Sequence, residues 1–205
     1  PVYTVTLVPN SPGYTVIGAP PSGIALPRGA VIAVNWTAGS NVLFGPTSEV
    51  AQYVAAVLLN DPGLMALPIH LVGHSRGGSV MSTVAKILAA RGVWVEQLTT
   101  LDPHPVFPWD EPAKYVWNNV LFADNYWRAG AGGFDGELVY GARNVNLKSV
   151  IDDPFSILGP DHVAVHAYYH GTIDQNAVGV DGINIPTAWY DITKGTGPRN
   201  GIGFY

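Results

Sequence analysis

A serine flanked by glycines is the first feature of the sequence with a chemical meaning. The segment Gly73-His74-Ser75-Arg76-Gly77 matches the pattern G-x-S-x-G. This pattern is typical of a strained strand-to-helix turn in which the serine hydroxyl projects above the sheet and small residues flank it. The N–H of Arg76 would open the following helix and is a candidate donor to an oxyanion. Ser75 is therefore the candidate nucleophile, and the alternative is a glycine-rich turn whose serine has no chemical role.

A serine hydroxyl needs a histidine base, and the base needs a carboxylate that orients it. In a parallel sheet these partners are expected just beyond the carboxyl ends of later strands. Asp102 ends the predicted strand after the serine's helix, and Asp124 ends the next one. Position alone fits either aspartate as the acid, and each is also a common type of turn residue at a strand end.

The base is expected last in chain order. The histidines that follow both aspartates are His162, His166 and His170. His162 comes after a Gly-Pro-Asp loop that leads into a short predicted helix, and a histidine on such a loop can turn towards the serine. We expect His166 and His170 to be packing or surface residues of that helix.

The same three histidines have a rival interpretation as metal ligands. Their spacing of four residues places them near one face of a helix, where two imidazoles can share a metal ion. A metal-dependent hydrolase is thus an alternative, although the sequence has no H-E-x-x-H pattern and no cysteine. We expect neither a metal nor another cofactor. Oxygen ligands for calcium occur without a recognisable binding loop at Asp152, Asp153, Asp161 and Asp181.

The elements that must position these residues alternate between strands and helices. Strand patterns cover residues 2–8, 30–36, 69–72, 93–101 and 119–123. Helical spacing of apolar residues occurs at Val50, Val54, Val57 and Leu58, and again at Val80, Val84, Ile87 and Leu88. Residues 11–29 are expected to form a long loop, and beyond 129 only residues 161–169 have a helical pattern. The alternation predicts one α/β domain over residues 1–205, with a mainly parallel sheet flanked by helices.

Composition excludes several classes of protein. The 205 residues include no cysteine, which excludes a thiol nucleophile and a disulfide framework. The net charge of −5 without a basic run argues against nucleic acid as a partner. No apolar run is long enough for a membrane span. The absence of cysteine fits a secreted or extracytoplasmic bacterial protein. The chain begins at Pro1 without a signal pattern, which fits a mature or trimmed form, and we expect a monomer.

These residues resemble the lipase and esterase branch of the α/β-hydrolase superfamily. Residues 72–78 (VGHSRGG) look like the lipase G-H-S-x-G-G segment, and residues 34–40 (VNWTAGS) are similar to the V-D-W-x-x-G-S segment of pancreatic-type lipases. Residues 101–103 are similar to the L-D-P of those lipases. Residues 162–169 are similar to the H-S-x-V-x-x-W-Y segment of several bacterial hydrolases. The resemblance covers residues 30 to 170.

The resemblance implies an α/β-hydrolase fold with a nucleophile elbow at Ser75. It implies a catalytic triad with Asp102, rather than Asp124, as the acid and His162 as the base. The implied activity is the hydrolysis of carboxylic esters through an acyl-enzyme, with a small-molecule or lipid ester as substrate. One departure concerns the oxyanion site, because no His-Gly pair follows the first strand, and the second donor is then expected at Asn10 or Thr37.

The segment after Asp102 is rich in aromatic residues and prolines. It contains His104, Phe107 and Trp109, and we expect these side chains, together with His74, to contact the substrate. The incomplete oxyanion signal leaves a different class open. This is a hydrolase-like domain that binds a ligand but is catalytically weak or inactive.

Overall fold

The computed structural model describes residues 1–10, 12–21, 23, 29–36, 46–105, 114–129, 136–151, 160–174, 176, 185 and 187–190. Within these ranges the strands are β1 (Val2–Pro9), β2 (Tyr14–Ile17), β3 (Val31–Asn35), β4 (His70–His74), β5 (Val95–Leu101), β6 (Val120–Trp127) and β7 (Arg143–Asn146). The helices are α1 (Thr47–Leu59), α2 (Pro62–Met65), α3 (Arg76–Ala89) and α4 (Pro160–Ile173), and a 3-10 turn covers Thr187–Tyr190.

The strands form two sheets. The larger sheet has the order β4-β5-β6-β7, and all its strands are parallel. The smaller sheet has the order β2-β1-β3, with β1 parallel to β3 and antiparallel to β2. The α/β class and the mainly parallel arrangement that the alternating pattern predicts are therefore confirmed.

Helix α3 packs on β4 and β5 of the larger sheet, and α1 packs against α3. The predicted apolar stripe of each helix is largely buried, and β4 and β5 contribute Leu71 and Leu98 to the same core. Helix α4 packs in a second core with Leu101 and Tyr126. Because Leu98 and Leu101 are three residues apart on β5, they point to opposite faces of the sheet. The parallel sheet is thus flanked by helices on both sides.

Two expectations about the elements are wrong, and one strand, β7, was not predicted. The predicted loop over residues 11–29 contains β2, which is held by antiparallel pairing of Thr6 with Ile17 and of the residues that follow. Strand β7 has the polar sequence RNVN without an apolar period, and its pairing with β6 defines it. Strand β6 continues to Trp127, so Asp124 lies inside the strand rather than at its end.

Helix α4 begins earlier than its pattern predicts. It starts at Pro160, where the fixed φ of proline suits a first helical residue and its missing N–H removes no helical hydrogen bond. His162 therefore lies in the first turn of the helix and not on the preceding loop.

Among the described helices, none has both the length and the apolar character that a membrane crossing requires.

Candidate active site

Ser75 makes the whole connection between β4 and α3. Strand β4 ends at His74 and the helix begins at Arg76. Ser75 has φ +55° and ψ −126°, a conformation that is sterically unfavourable for a residue with a side chain. Its N–H donates a hydrogen bond to the Leu101 carbonyl over 2.9 Å. This bond ties the strained turn to the carboxyl end of β5.

The glycines around Ser75 have different local roles. A Cβ atom on Gly73 would overlap the Gly77 carbonyl oxygen, and a Cβ atom on Gly78 would come within 2.8 Å of the Pro103 Cβ. A Cβ atom on Gly77 would meet nothing within 4 Å. Gly77 and Gly78 also lie in the first turn of α3 rather than in the turn before it. The expectation that crowding requires small residues on both sides of the serine holds at Gly73 and is wrong at Gly77.

Asp102 follows β5 directly and has the second positive φ among the described residues other than glycine, at +44°. The side chain is 2% exposed. Its Oδ1 accepts a hydrogen bond from the Arg128 N–H over 2.8 Å, and its own N–H donates to the Tyr126 carbonyl over 2.7 Å. Gly136 lies so close that a Cβ atom there would overlap the carboxylate. The end of β6 and the close packing of Gly136 therefore hold Asp102 in place.

The carboxylate of Asp102 faces the imidazole of His162. The distance between His162 Nδ1 and Asp102 Oδ2 is 2.5 Å, and the histidine side chain is 22% exposed. An ionised carboxylate only accepts hydrogen bonds, so Nδ1 carries the proton and the neutral ring has an acceptor at Nε2. This tautomer is the one that a general base needs, since Nε2 is then able to take a proton.

Ser75 lies beside this pair, but the three side chains do not form a closed chain of hydrogen bonds. In the described part of the chain, the His162 ring bonds to Asp102 and not to the Ser75 hydroxyl. Ser75 is held near them through its N–H, which bonds to the residue before Asp102, and through its neighbour His74, which contacts His162. Serine–histidine hydrogen bonds are often long without a substrate and shorten in the reacting complex.

His74, which was expected to contact the substrate, also contacts His162. Its Nε2 lies 2.9 Å from the His162 carbonyl oxygen. Its ring centroid is 4.5 Å from that of His162 and 5.9 Å from that of His166. Burial, followed by the charge of His162, lowers the pKa of His74 to about 4. His74 is thus neutral above about pH 5 and donates through its Nε2–H.

The other two helical histidines have the places expected of packing and surface residues. His166 is half-buried beside His74, and its pKa is lowered by burial and by the nearby His170. His170 is exposed in the last turn of α4.

Asp124 belongs to a different network. Its Oδ1 accepts hydrogen bonds from Thr99 Oγ1 over 2.6 Å and from Gln97 Nε2 over 3.4 Å. Three residues separate it from the end of β6, which places it about 10 Å before the edge where His162 lies. The structure therefore brings Asp102, and not Asp124, to the histidine.

Arg76, Asn10 and Thr37 are the residues expected to supply oxyanion donors, and the first two lie within the described residues. Arg76 directly follows Ser75 and is the first residue of α3, a position whose N–H has no acceptor within the helix. Asn10 does not offer its backbone, because its N–H donates to the Gly13 carbonyl over 2.7 Å, and its side-chain amide donates to Thr15 Oγ1. Thr37 lies outside the described residues.

A cavity of about 640 Å³ opens beside the serine turn. Residues of β3, β4, α1 and α3 line the cavity, and most of them are apolar. Gly73, His74 and Gly77, which flank Ser75, form part of its wall together with Trp36. The guanidinium of Arg76 lies 5.2 Å from the centre of the Trp36 ring.

Of the residues expected to bind substrate, His74 lines this cavity, and His104 is half-buried two residues after Asp102. Phe107 and Trp109 lie outside the described residues. The possible calcium ligands also lie outside the described part of the structure, namely Asp152, Asp153, Asp181 and the side chain of Asp161.

Within the described ranges, no three histidine or acidic side chains are grouped as a metal site would require. His162, His166 and His170 are among the described residues and do not form such a group of three. Comparison of the chain with protein-family models, curated proteins and solved structures found no match. The site's own geometry must therefore support any functional proposal.

Sequence reasoning missed three contacts that hold this site together. They are the hydrogen bond of the Arg128 N–H to Asp102, the close packing of Gly136 on the same carboxylate, and the bond of His74 to the His162 carbonyl. The first uses a backbone group, which any residue provides, so no residue type could have marked it. Gly136 lies in a glycine-rich stretch and does not stand out there, so the histidine beside the serine is the one residue type of the three contacts that could have been noticed.

Proposed function

We propose that this protein is an α/β-hydrolase that cleaves carboxylic esters, with Ser75 as nucleophile at a nucleophile elbow. His162 is the general base and Asp102 is the acid that orients it. The main support is the 2.5 Å contact between His162 Nδ1 and the buried Asp102 carboxylate. The strained Ser75 turn beside this pair adds to it, since such strain is typical of functional sites.

The chemistry begins with attack of Ser75 Oγ on the ester carbonyl carbon. Nε2 of His162 takes the hydroxyl proton, and Asp102 stabilises the imidazolium that forms. The N–H of Arg76 donates to the oxyanion of the tetrahedral intermediate. The C–O bond to the alcohol then breaks as His162 returns the proton to the leaving oxygen, which leaves an acyl-serine. Water, activated by the same histidine, releases the acid and restores Ser75.

The cavity beside Ser75 supports an ester with an apolar acyl group. Its volume of about 640 Å³ falls within the usual range for small-molecule sites. The weak charge of the chain, 12% charged residues, agrees with a substrate of this kind. A small-molecule or lipid ester is accordingly the proposed substrate class.

Hydrolysis of p-nitrophenyl esters of increasing chain length tests the proposal. Ser75→Ala should lower kcat by about 10⁶-fold, because the serine acts together with its base as one unit. Ser149→Ala, which changes an exposed serine in a turn, is the matched control and should leave the rate unchanged. Equal rates for the wild type and Ser75→Ala would reject the assignment.

A domain that binds a ligand without catalysis is the second candidate. The observation in its favour is that the Ser75 hydroxyl makes no hydrogen bond to the His162 ring among the described residues. A fluorophosphonate probe separates the two, since only an activated serine reacts with it. Labelling at Ser75 supports the hydrolase, and absence of labelling across the pH range supports the binding domain. Full activity after treatment with a chelator would argue against the metal-dependent alternative.

A further inference from the structure

We infer that His74 is a positioning residue, which holds the main chain of His162 at the start of α4 and thereby keeps the base beside Ser75. This inference rests on the proposed function. It adds a role for the variable residue of the G-x-S-x-G pattern, which the triad itself does not use.

The contact joins two parts of the chain that are distant in sequence. His74 is the last residue of β4, and His162 lies in the first turn of α4, 88 residues later. The hydrogen bond from His74 Nε2–H to the His162 carbonyl oxygen is 2.9 Å long. Since Ser75 follows His74 directly, one bond fixes the helix that carries the base relative to the strand that carries the nucleophile.

The side chain of His162 has only one hydrogen bond of its own in the described structure, to Asp102. That bond sets the tilt of the imidazole ring, but it does not hold the main chain of His162, which moves with α4. The bond from His74 and the ring contact with a centroid distance of 4.5 Å supply the second fixed point. Two fixed points determine where Nε2 of the base is directed.

The neutral state of His74 is suited to positioning His162. The titratable groups that face His74 are His162 and His166 on α4 and Asp102 after β5. A neutral His74 adds no positive charge beside His162 when that ring becomes an imidazolium during catalysis. Burial is the main reason that His74 stays neutral at the pH of an esterase assay.

Two substitutions separate the hydrogen bond from the bulk of the side chain. His74→Gln retains an N–H donor near the position of Nε2, whereas His74→Leu has a similar size and no donor. We expect His74→Leu to lower kcat by about 10- to 100-fold, because misplacement of the base affects the reacting step. His74→Gln should retain kcat within about 3-fold of the wild type. His170→Gln, an exposed residue of the same helix, is the control.

A second readout does not depend on hydrolysis. The proton between His162 and Asp102 should give a downfield ¹H NMR resonance that is absent in His162→Ala. We expect this resonance in the wild type, His74→Gln and His170→Gln, and its loss or broadening by exchange in His74→Leu. If His74→Leu retains both the resonance and the wild-type kcat, the positioning role is wrong. If the resonance follows this pattern but the wild type has no Ser75-dependent activity, the positioning role holds and the proposed function fails.

Discussion

Replacement of His74 by glutamine is expected to remove part of the acid sensitivity of the folded protein. Burial, and then the charge of His162, lower the pKa of His74 from 6.5 to about 4. In the unfolded chain the residue has its ordinary pKa, so between these two values the unfolded state binds a proton that the folded state does not. The stability that depends on neutral His74 is therefore complete above about pH 6.5 and is lost as the pH falls to about 4.

The magnitude follows from the two pKa values. Their separation corresponds to about 3 kcal/mol of unfolding free energy when the pH is below both. At about pH 5 the linkage relation gives about 2 kcal/mol, because the unfolded residue is then almost fully protonated and the folded residue is about 10% protonated. At about pH 7.5 the contribution is close to zero. Burial of His166 acts in the same direction, since it lowers the pKa of that residue too.

Urea denaturation of the wild type, His74→Gln and His170→Gln at about pH 7.5 and about pH 5 measures this effect. The wild type should lose about 2 kcal/mol more than His74→Gln between the two conditions. His170 is exposed, and its glutamine variant should lose as much as the wild type. If His74→Gln and the wild type lose equal stability, His74 is not a buried neutral group, and the electrostatic part of its role is refuted.

Two further predictions concern the acid and the glycines. Asp102→Asn should lower kcat by about 10⁴-fold, because the amide cannot hold the correct imidazole tautomer. The variant should still fold, since asparagine tolerates the positive φ of this position. Asp124→Asn is the comparison and should retain activity, and a larger loss in that variant would identify Asp124 as the acid. Gly73→Ala should lower the free energy of unfolding by about 1–3 kcal/mol, because its Cβ overlaps the Gly77 carbonyl. Gly77→Ala should be neutral or stabilising by up to about 1 kcal/mol, because Gly77 is a helical residue and a Cβ atom there meets nothing within 4 Å. Thermal denaturation of the two variants measures the contrast. Equal losses of stability would show that Gly73 is not more crowded than Gly77.

Several features of the fold follow from local sequence alone. Helices α1 and α3 have apolar residues that recur every three or four positions, and burial of that stripe fixes both the helix type and the face. Strand β3 is a mainly apolar, β-branched run, and β4 and β5 lie largely within the segments that the sequence predicts as strands. Ser75 is also marked locally, because the strained turn requires no Cβ atom at Gly73 and a helix directly after it.

The polar and irregular elements depend on distant residues. Strand β7 has no apolar period and exists because its backbone pairs with β6, so Arg143–Asn146 could not be recognised from its own residues. Strand β6 extends to Trp127 past the polar Asp124 and Asn125, since Thr99 donates a hydrogen bond to Asp124 Oδ1 and Thr100 donates one to Asn125 Oδ1 within the sheet. Once these partners are present, a polar residue no longer ends a strand.

The sequence by itself determined the α/β class, the serine turn and a short list of acids and bases. Position along the predicted strands left Asp102 and Asp124 equivalent, and only the resemblance to lipases favoured Asp102, because neither residue type nor spacing reports which way a carboxylate points. Tertiary structure decided between them: the positive φ of Asp102 turns its carboxylate off the strand end, where the Arg128 N–H and His162 hold it. The same packing placed His74 on the His162 carbonyl. Contacts across 60 and 88 residues of chain arise only when the sheet and α4 come together, so no local pattern encodes them.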